Sequence, residues 1–262
     1  MFELGSQSIT PPIKAMLTPD EPAGLRMLGV LDGILPGAIF VDRFPDPTWA
    51  VVQEAEYGTI YLGGFIDRQE LGDLIDRLRN TGDVLLGMWP EDGRWNLVPP
   101  GADYEGQVLD FYERPFGTGL DDFLVAIPAG CEIRQVDVDL FERSRDRVEH
   151  IRSFGSLENT LNNLLGFYLM RDDEILCEAL AGPMIRGIRE IGVVTYEGHR
   201  RKGYGTVTCA YLVQACENTG LQTYWNCNKS NTASAALARS LGYRVEKEYE
   251  LKAWFRSKTT TG

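Results

Sequence analysis

The sequence predicts a mixed α/β chain of the α+β kind, arranged as a smaller N-terminal α/β region, residues 1–118, and a second region, residues 119–262. Three observations predict it. Short apolar runs of strand length alternate with stretches whose apolar residues recur at helical spacing. Loop-like composition at Pro99-Pro-Gly-Ala102 and Pro115-Phe-Gly-Thr-Gly119 separates the two regions. Charge divides at the same place: residues 1–120 hold 8 basic and 19 acidic side chains, net −11, whereas residues 121–262 hold 18 and 19, net −1.

In the first region, Thr48–Gln53 and Thr59–Leu62 have strand character and flank a turn at Tyr57-Gly58. Asp67-Arg-Gln-Glu70 has the form of a capping box with Asp as the cap. It opens a helix that carries Leu71, Leu74, Ile75 and Leu78 on one face. Val84–Trp89 is a further strand, and Pro90-Glu-Asp-Gly93 turns the chain towards a strand at Trp95–Val98. In the second region, Glu132–Val138 is a strand and Asp139–Ile151 a helix. Ser156 caps a helix at Leu157–Leu165. Strands follow at Gly166–Met170 and Glu174–Leu180, joined by an Asp172-Asp173 turn. Then come a strand at 188–196, a helix at Thr206–Glu217, a strand at 222–227, a helix from Asn231, and end strands at 243–247 and 249–255. The tail, residues 259–262, is expected to be disordered.

A chain of 262 residues can bury a sizeable core, and 44% hydrophobic with 24% charged residues is ordinary globular composition. No apolar run reaches the length of a membrane span, and the N-terminus lacks the basic-then-apolar pattern of a secretory signal. The five cysteines (131, 177, 209, 216, 227) are odd in number, irregular in spacing and without a C-x-x-C pair. Reduced thiols and a cytoplasmic location are therefore expected, with Cys209 and Cys216 as core residues. Two histidines, His150 and His199, are too few for a histidine-rich metal site. A net charge of −12 disfavours nucleic acid as a partner and is compatible with a cationic, amine-bearing substrate. It also serves solubility. A homodimer is compatible with this composition.

The densest chemical signal is Thr195-Tyr-Glu-Gly-His-Arg200-Arg-Lys-Gly203-Tyr-Gly205. It lies between the apolar strand Ile191–Val194 and a helix. The glycines allow close backbone approach, the first helical N–H groups are unsatisfied, and Arg200, Arg201 and Lys202 add positive charge. The segment is an anion cradle. Gly203-Tyr-Gly205-Thr-Val-Thr208 approaches the dinucleotide fingerprint. That fingerprint expects an acidic residue about 20 residues on, and the next strand, Gln222–Asn226, has none. No G-x-x-x-x-G-K-[ST] run exists for a P-loop.

Arg200-Arg-Lys-Gly203-Tyr-Gly205 resembles the pyrophosphate turn of the Gcn5-related N-acetyltransferases (GNAT), Arg/Gln-x-x-Gly-x-Gly/Ala, at every fixed position. Asn231-Thr-Ala-Ser234-Ala-Ala-Leu237-Ala-Arg-Ser-Leu241-Gly-Tyr243 resembles the same family's last motif. Phe154-Gly-Ser, Asn163–Phe167, Glu190–Thr195 and Tyr224–Cys227 are similar to a bacterial subgroup with an additional N-terminal region. The resemblance covers roughly residues 130–255. It implies a mostly antiparallel sheet flanked by helices, and transfer of an acetyl group from acetyl-CoA to a primary amine of a small molecule or protein. The N-terminal region would then shape the acceptor site or an interface.

Residue by residue, the resemblance places the pantetheine arm along Val193, Val194 and Thr195, and the thioester carbonyl at the backbone of Val194–Thr195. It places the pyrophosphate at Arg200, Arg201, Lys202, Gly203, Tyr204, Gly205 and Thr206, with Asn231 and Ser234 as further cofactor contacts. Helix capping and close packing are the competing roles of Asn231 and Ser234. No metal is implied. Glu190, at the start of the motif strand, is the first candidate for general base and Glu178 the second; a solvated strand-end charge is the competing reading of Glu190. His199 lies in the phosphate-facing turn. Tyr224 and Trp225 are candidates for a pocket wall, although alternation along a strand sends one of them into the core. The tyrosine that many members carry after the last helix's Leu is Ala238 here. A non-catalytic acyl-CoA-binding module therefore stands as the alternative function.

Overall fold

The computed structural model describes residues 1–4, 9–17 and 23–256. The tail expected to be disordered lies outside them. The chain forms two compact units, residues 1–108 with 248–262, and residues 109–247. This division differs from a boundary after residue 118, because strands, not loops, carry the chain between units.

The first unit starts with β1 (Phe2–Leu4), α1 (Pro11–Met16), α2 (Gly24–Leu31) and β2 (Gly37–Val41), none of which the sequence patterns single out. The expected strands follow as β3 (Trp49–Glu54) and β4 (Thr59–Gly64). In α3 (Arg68–Leu78) the Asp67 side chain accepts from the Glu70 N–H while Glu70 reaches back to the cap, and Leu71, Leu74, Ile75 and Leu78 are buried as expected. After β5 (Val84–Met88) the expected strand at Trp95–Val98 is instead a 3-10 turn, Gly93–Leu97. The Asp92 carboxylate accepts the Arg94 N–H, and the Trp95 indole bonds back to the Trp89 carbonyl, so the backbone curls rather than extends. β6 (Tyr104–Glu113) then contributes its first half to this unit and its second half to the next. β1 to β4 are antiparallel neighbours and β5 runs parallel to β4.

The second unit continues with α4 (Asp121–Leu124) and β7 (Glu132–Gln135). The helix expected over Asp139–Ile151 is broken in two, α5 (Val138–Glu142) and α6 (Arg147–Phe154). Between them the Ser144 hydroxyl donates to the sheet at Glu178 and the Arg145 N–H donates to the Tyr196 hydroxyl, which pulls the backbone out of helical register. Ser156 caps α7 (Leu157–Asn162) by accepting from Asn159 N–H. β8 (Gly166–Arg171) and β9 (Glu174–Ala181) form a hairpin through Asp172, whose φ of 51° supplies the left-handed turn. The motif strand β10 (Ile188–Thr195), α8 (Tyr204–Asn218), β11 (Gln222–Asn228) and α9 (Thr232–Ser240) complete the expected order. The two end strands prove to be one, β12 (Arg244–Trp254), which pairs antiparallel with β5 through its last residues.

Within the second unit the strand order is β6-β11-β10-β9-β8-β7. β7 to β10 are antiparallel, and β10 runs parallel to β11 across the α8 crossover. Helices cover both faces. On one face α8 and α9 bury Cys209, Leu212, Val213, Cys216, Ala235, Ala238 and Leu241 against Phe111, Ala179, Ile191 and Trp225. On the other, Leu140 and Phe141 of α5 and Ile151 of α6 pack on Tyr168, Leu180 and Val194. Each fully buried large apolar side chain contributes about 1.5–3 kcal/mol. α8 is buried around most of its circumference, so it shows no clean polar stripe.

Candidate active site

The site is built where β10 and β11 part. Their pairing covers only Ile188–Glu190 against Gln222–Tyr224. Beyond Glu190, β10 is held on its other edge alone, by β9. The Glu190 carbonyl accepts from Gly182 N–H and the Tyr196 N–H donates to Leu176, so even-numbered backbone groups face β9. Alternation along the strand turns the N–H and C=O of Ile191, Val193 and Thr195 towards the opened edge. Val194, named with them from the sequence, points its backbone at β9 opposite Glu178 and its side chain into the core beneath α5 and α6.

The end of this cleft is the N-terminus of α8. Gly203, at φ 77°, is its cap residue, and no acidic residue occupies the first turn. Tyr204, Gly205 and Thr206 thus leave their N–H groups without carbonyl partners inside the helix. Arg200, Arg201 and Lys202 are all exposed around them. Arg200 Nε donates to the Thr195 carbonyl at 3.0 Å, and Lys202 Nζ to the Gly198 carbonyl at 2.9 Å, so the basic turn is tied back on itself. Gly205 sits where a Cβ would come within 2.8 Å of Leu237 and 3.4 Å of the Thr195 hydroxyl, so its lack of a side chain brings α8 close to both β10 and α9. This end gathers Val193, Thr195, Arg200 to Thr206 and α9 in one place. A helix N-terminus with surrounding cations and an unpaired strand edge fits an anionic, amide-containing ligand such as CoA.

Asn231 and Ser234 have evident structural work. The Asn231 side chain accepts from Ser234 N–H and caps α9, and the Ser234 hydroxyl accepts the Trp225 indole N–H at 3.0 Å. Ala238 is fully buried in the core among Phe111 and Leu241, so that position offers neither a hydroxyl nor access to the cleft.

The two candidate bases stand apart. Glu190 is half-buried and lies at the last residue pair before the strands part. Glu178 lies opposite Val194, four residues further along β10, or about 13 Å at strand rise. Its side chain is fully buried, with Oε2 accepting the Ser144 hydroxyl at 2.5 Å and lying 3.2 Å from His150 Nε2, and with Oε1 lacking a protein partner. The Tyr168 hydroxyl, on the neighbouring strand directly opposite Glu178, is buried without a partner as well. Burial pushes the Tyr168 phenol well above its ordinary range, and the nearby Glu178 carboxylate adds to the rise. His199 faces Glu174 at 3.3 Å on the surface.

Sequence patterns missed three residues. Asp110 of β6 is fully buried and accepts both the Tyr224 hydroxyl at 2.6 Å and the Asn226 side-chain N–H at 2.8 Å. Ser144 and His150 are the other two. The only available signal was a carboxylate in an apolar run, Val108-Leu-Asp-Phe-Tyr112. Tyr224 shares a sheet face with Glu190, its Cα partner, and packs its ring at a tilt against Tyr112, while Trp225 points into the opposite core. Burial raises the Cys177 and Cys216 thiols to about 11 and pushes Cys209 well above its ordinary value, so these three thiols are held protonated and unreactive. Among the described residues no helix is long and apolar enough to cross a membrane, and no cluster suited to a metal ion occurs.

The family profile described as GNAT acetyltransferase matches residues 24–251. An uncharacterized N-acetyltransferase, YdfB of Bacillus subtilis (strain 168), is 21% identical over 235 residues, spanning 85% of this chain and 87% of that protein. Among solved structures, a GCN5-related N-acetyltransferase-like protein from Streptococcus suis 89/1591 superposes with a TM-score of 0.72 at 21% identity, over 93% of this chain and 97% of its own. A GCN5-related N-acetyltransferase from Sphaerobacter thermophilus does so with a TM-score of 0.59 at 14% identity, over 97% and 92%. These structural likenesses establish the fold.

Proposed function

The chain belongs to the GNAT acetyltransferase family, and from that premise we propose that it transfers an acetyl group from acetyl-CoA to a primary amine by direct attack. The observation that carries this reading is the parting of β10 from β11 at Glu190, in line with the basic N-terminus of α8. Acetyl-CoA, when bound, supplies the activated acyl group. In this reading the N–H groups of Tyr204, Gly205 and Thr206, with Arg200, Arg201 and Lys202, hold the pyrophosphate. The outward backbone groups of Val193 and Thr195 hold the amides of the pantetheine arm. Glu190 accepts the proton that the acceptor's ammonium releases, directly or through water. The buried Glu178 fits this role less well, because Ser144 and His150 already occupy one of its oxygens.

The buried Ala238 favours a second reading, a CoA-binding module without turnover. One experiment tests both. CoA is titrated calorimetrically into the wild-type protein and Gly203→Glu, and thiol release from acetyl-CoA is followed with polyamines, aminoglycosides, amino acids and peptides. The expected result is CoA binding by the wild type, none by Gly203→Glu, and thiol release with at least one amine. Binding without thiol release for any amine supports the module. CoA affinity unchanged in Gly203→Glu removes the cradle assignment.

A further inference from the structure

Gly192 lies inside β10, where a glycine weakens a strand by adding backbone freedom and packing nothing. The structure supplies no internal reason for it. Its φ is not positive, and a Cβ would meet only the Leu180 carbonyl, at an ordinary 3.5 Å. Other glycines of this unit are accounted for. Gly166 and Gly205 have neighbours at 2.8 Å, and Gly198 and Gly203 have positive φ. Gly182 tolerates a Cβ too, but it is covered by Glu190 and Ser153, whereas Gly192 is exposed.

Its place is specific. Gly192 is two residues past the last β10–β11 pair, on the face that carries Glu190 before it and Val194 after it. Across the opening, the same face carries Tyr224 and Asn226, both bonded to Asp110, with the Tyr224 ring tilted 40° against Tyr112 and the centroids 4.8 Å apart. The bare strand thus follows a half-buried carboxylate and faces, across the opening, the Tyr224 and Asn226 side chains held by Asp110.

We infer that Gly192 is the specificity-determining position for the acyl acceptor. This rests on the acetyl-transfer reading of the cleft. A thioester carbonyl is attacked from above its plane, so the carbon bearing the amine must pass over the strand on the Glu190 face. The missing side chain leaves that path open. Clearance matters more as the amine-bearing carbon becomes more substituted, so amines on branched carbons depend on Gly192 more than straight-chain amines do.

The test uses the full chain as wild type, Gly192→Ala and Gly192→Val. The probes are primary amines, each straight-chain amine paired with its isomer branched at the amine-bearing carbon. Thiol release gives kcat/KM, calorimetry gives CoA affinity, and thermal denaturation gives Tm. Expected are an equal or higher Tm in Gly192→Ala, because the backbone gains order and the added Cβ meets nothing closer than 3.5 Å, and unchanged CoA affinity in both variants. Acceptor kcat/KM is expected to fall by about tenfold or more in Gly192→Val, with Gly192→Ala intermediate and the branched isomers hit harder. Full activity in Gly192→Val overturns the inference alone. A parallel loss of CoA affinity overturns it as well, since the bare strand would then serve the cofactor arm. A wild type that releases no thiol with any probe overturns the acetyl-transfer reading, and this inference with it.

Discussion

Replacing His150 with alanine should unfold the protein far more easily than its position near the surface suggests. The Glu178 side chain that His150 faces is fully buried. One of its oxygens has the Ser144 hydroxyl and His150 as partners, and the other has none. Without His150 the carboxylate keeps a single neutral donor. Losing a hydrogen bond to a buried charged group costs about 1.5–3 kcal/mol. At roughly 2–4 °C per kcal/mol for a chain of this size, His150→Ala should lower Tm by about 3–12 °C. The packing of His150 against Phe141, with ring centroids 6.3 Å apart, contributes to that loss. The double variant His150→Ala with Glu178→Leu separates the two contributions. It carries the same packing loss, removes the stranded carboxylate, and leaves Ser144 its bond from the Asp146 N–H at 3.1 Å. The double variant should therefore be more stable than His150→Ala alone. Thermal denaturation of the four proteins of this cycle, followed by circular dichroism near neutral pH, measures the coupling directly. A single variant within about 1 kcal/mol of wild type, the range of a surface pair, refutes the reasoning. So does a double variant less stable than the single one.

Ser234→Ala leaves the Trp225 indole N–H without its acceptor in a core where Trp225 is 1% exposed, at a cost of about 1–3 kcal/mol; an unchanged Tm would contradict this. Asp146→Asn tests a pH dependence. Burial pushes the Asp146 carboxyl above its ordinary 3.8; His150 pulls it down, and Glu178 and Glu149 add to the rise. The folded chain therefore holds this proton more tightly than the unfolded chain. That contribution to stability is complete below 3.8 and is lost as pH rises through the folded value. Asparagine never ionises and is as good a residue at a helix start. The variant should gain Tm relative to wild type near neutral pH and lose the gain in acid; an equal difference at both would refute the assignment.

What was legible in the sequence follows from how local each cause is. The Asp67 capping box, the Asn231 cap and the Asp172 turn are each settled within a few residues, and each appears as expected. The break between α5 and α6 is not local. It comes from Ser144 and Arg145 bonding to Glu178 and Tyr196, 34 and 51 residues away. β6 escaped notice for a related reason. Gly106 and Asp110 are poor strand residues, and Asp110 is tolerated only because Tyr224 and Asn226, more than 110 residues on, satisfy its carboxylate. The Trp95–Val98 segment failed as a strand because a single aspartate cap outweighed its apolar composition.

The same contrast divides the candidate site. The end proposed to hold the cofactor depends on backbone conformation: a left-handed Gly203, a close-packed Gly205, and consecutive N–H groups at a helix start. Such features come from adjacent residues, so they leave a contiguous motif that a single sequence displays. The end proposed to receive the acceptor depends on side chains that meet only in the sheet, Asp110 from β6, Glu190 from β10 and Tyr224 and Asn226 from β11. No spacing rule links residues so far apart in the chain. The one local trace at that end is negative, a glycine in a strand that needs none. Gly192 acquires meaning only once its empty surroundings are known, and for that reason substitutions there should alter acceptor choice while the cradle around Gly203 continues to bind CoA.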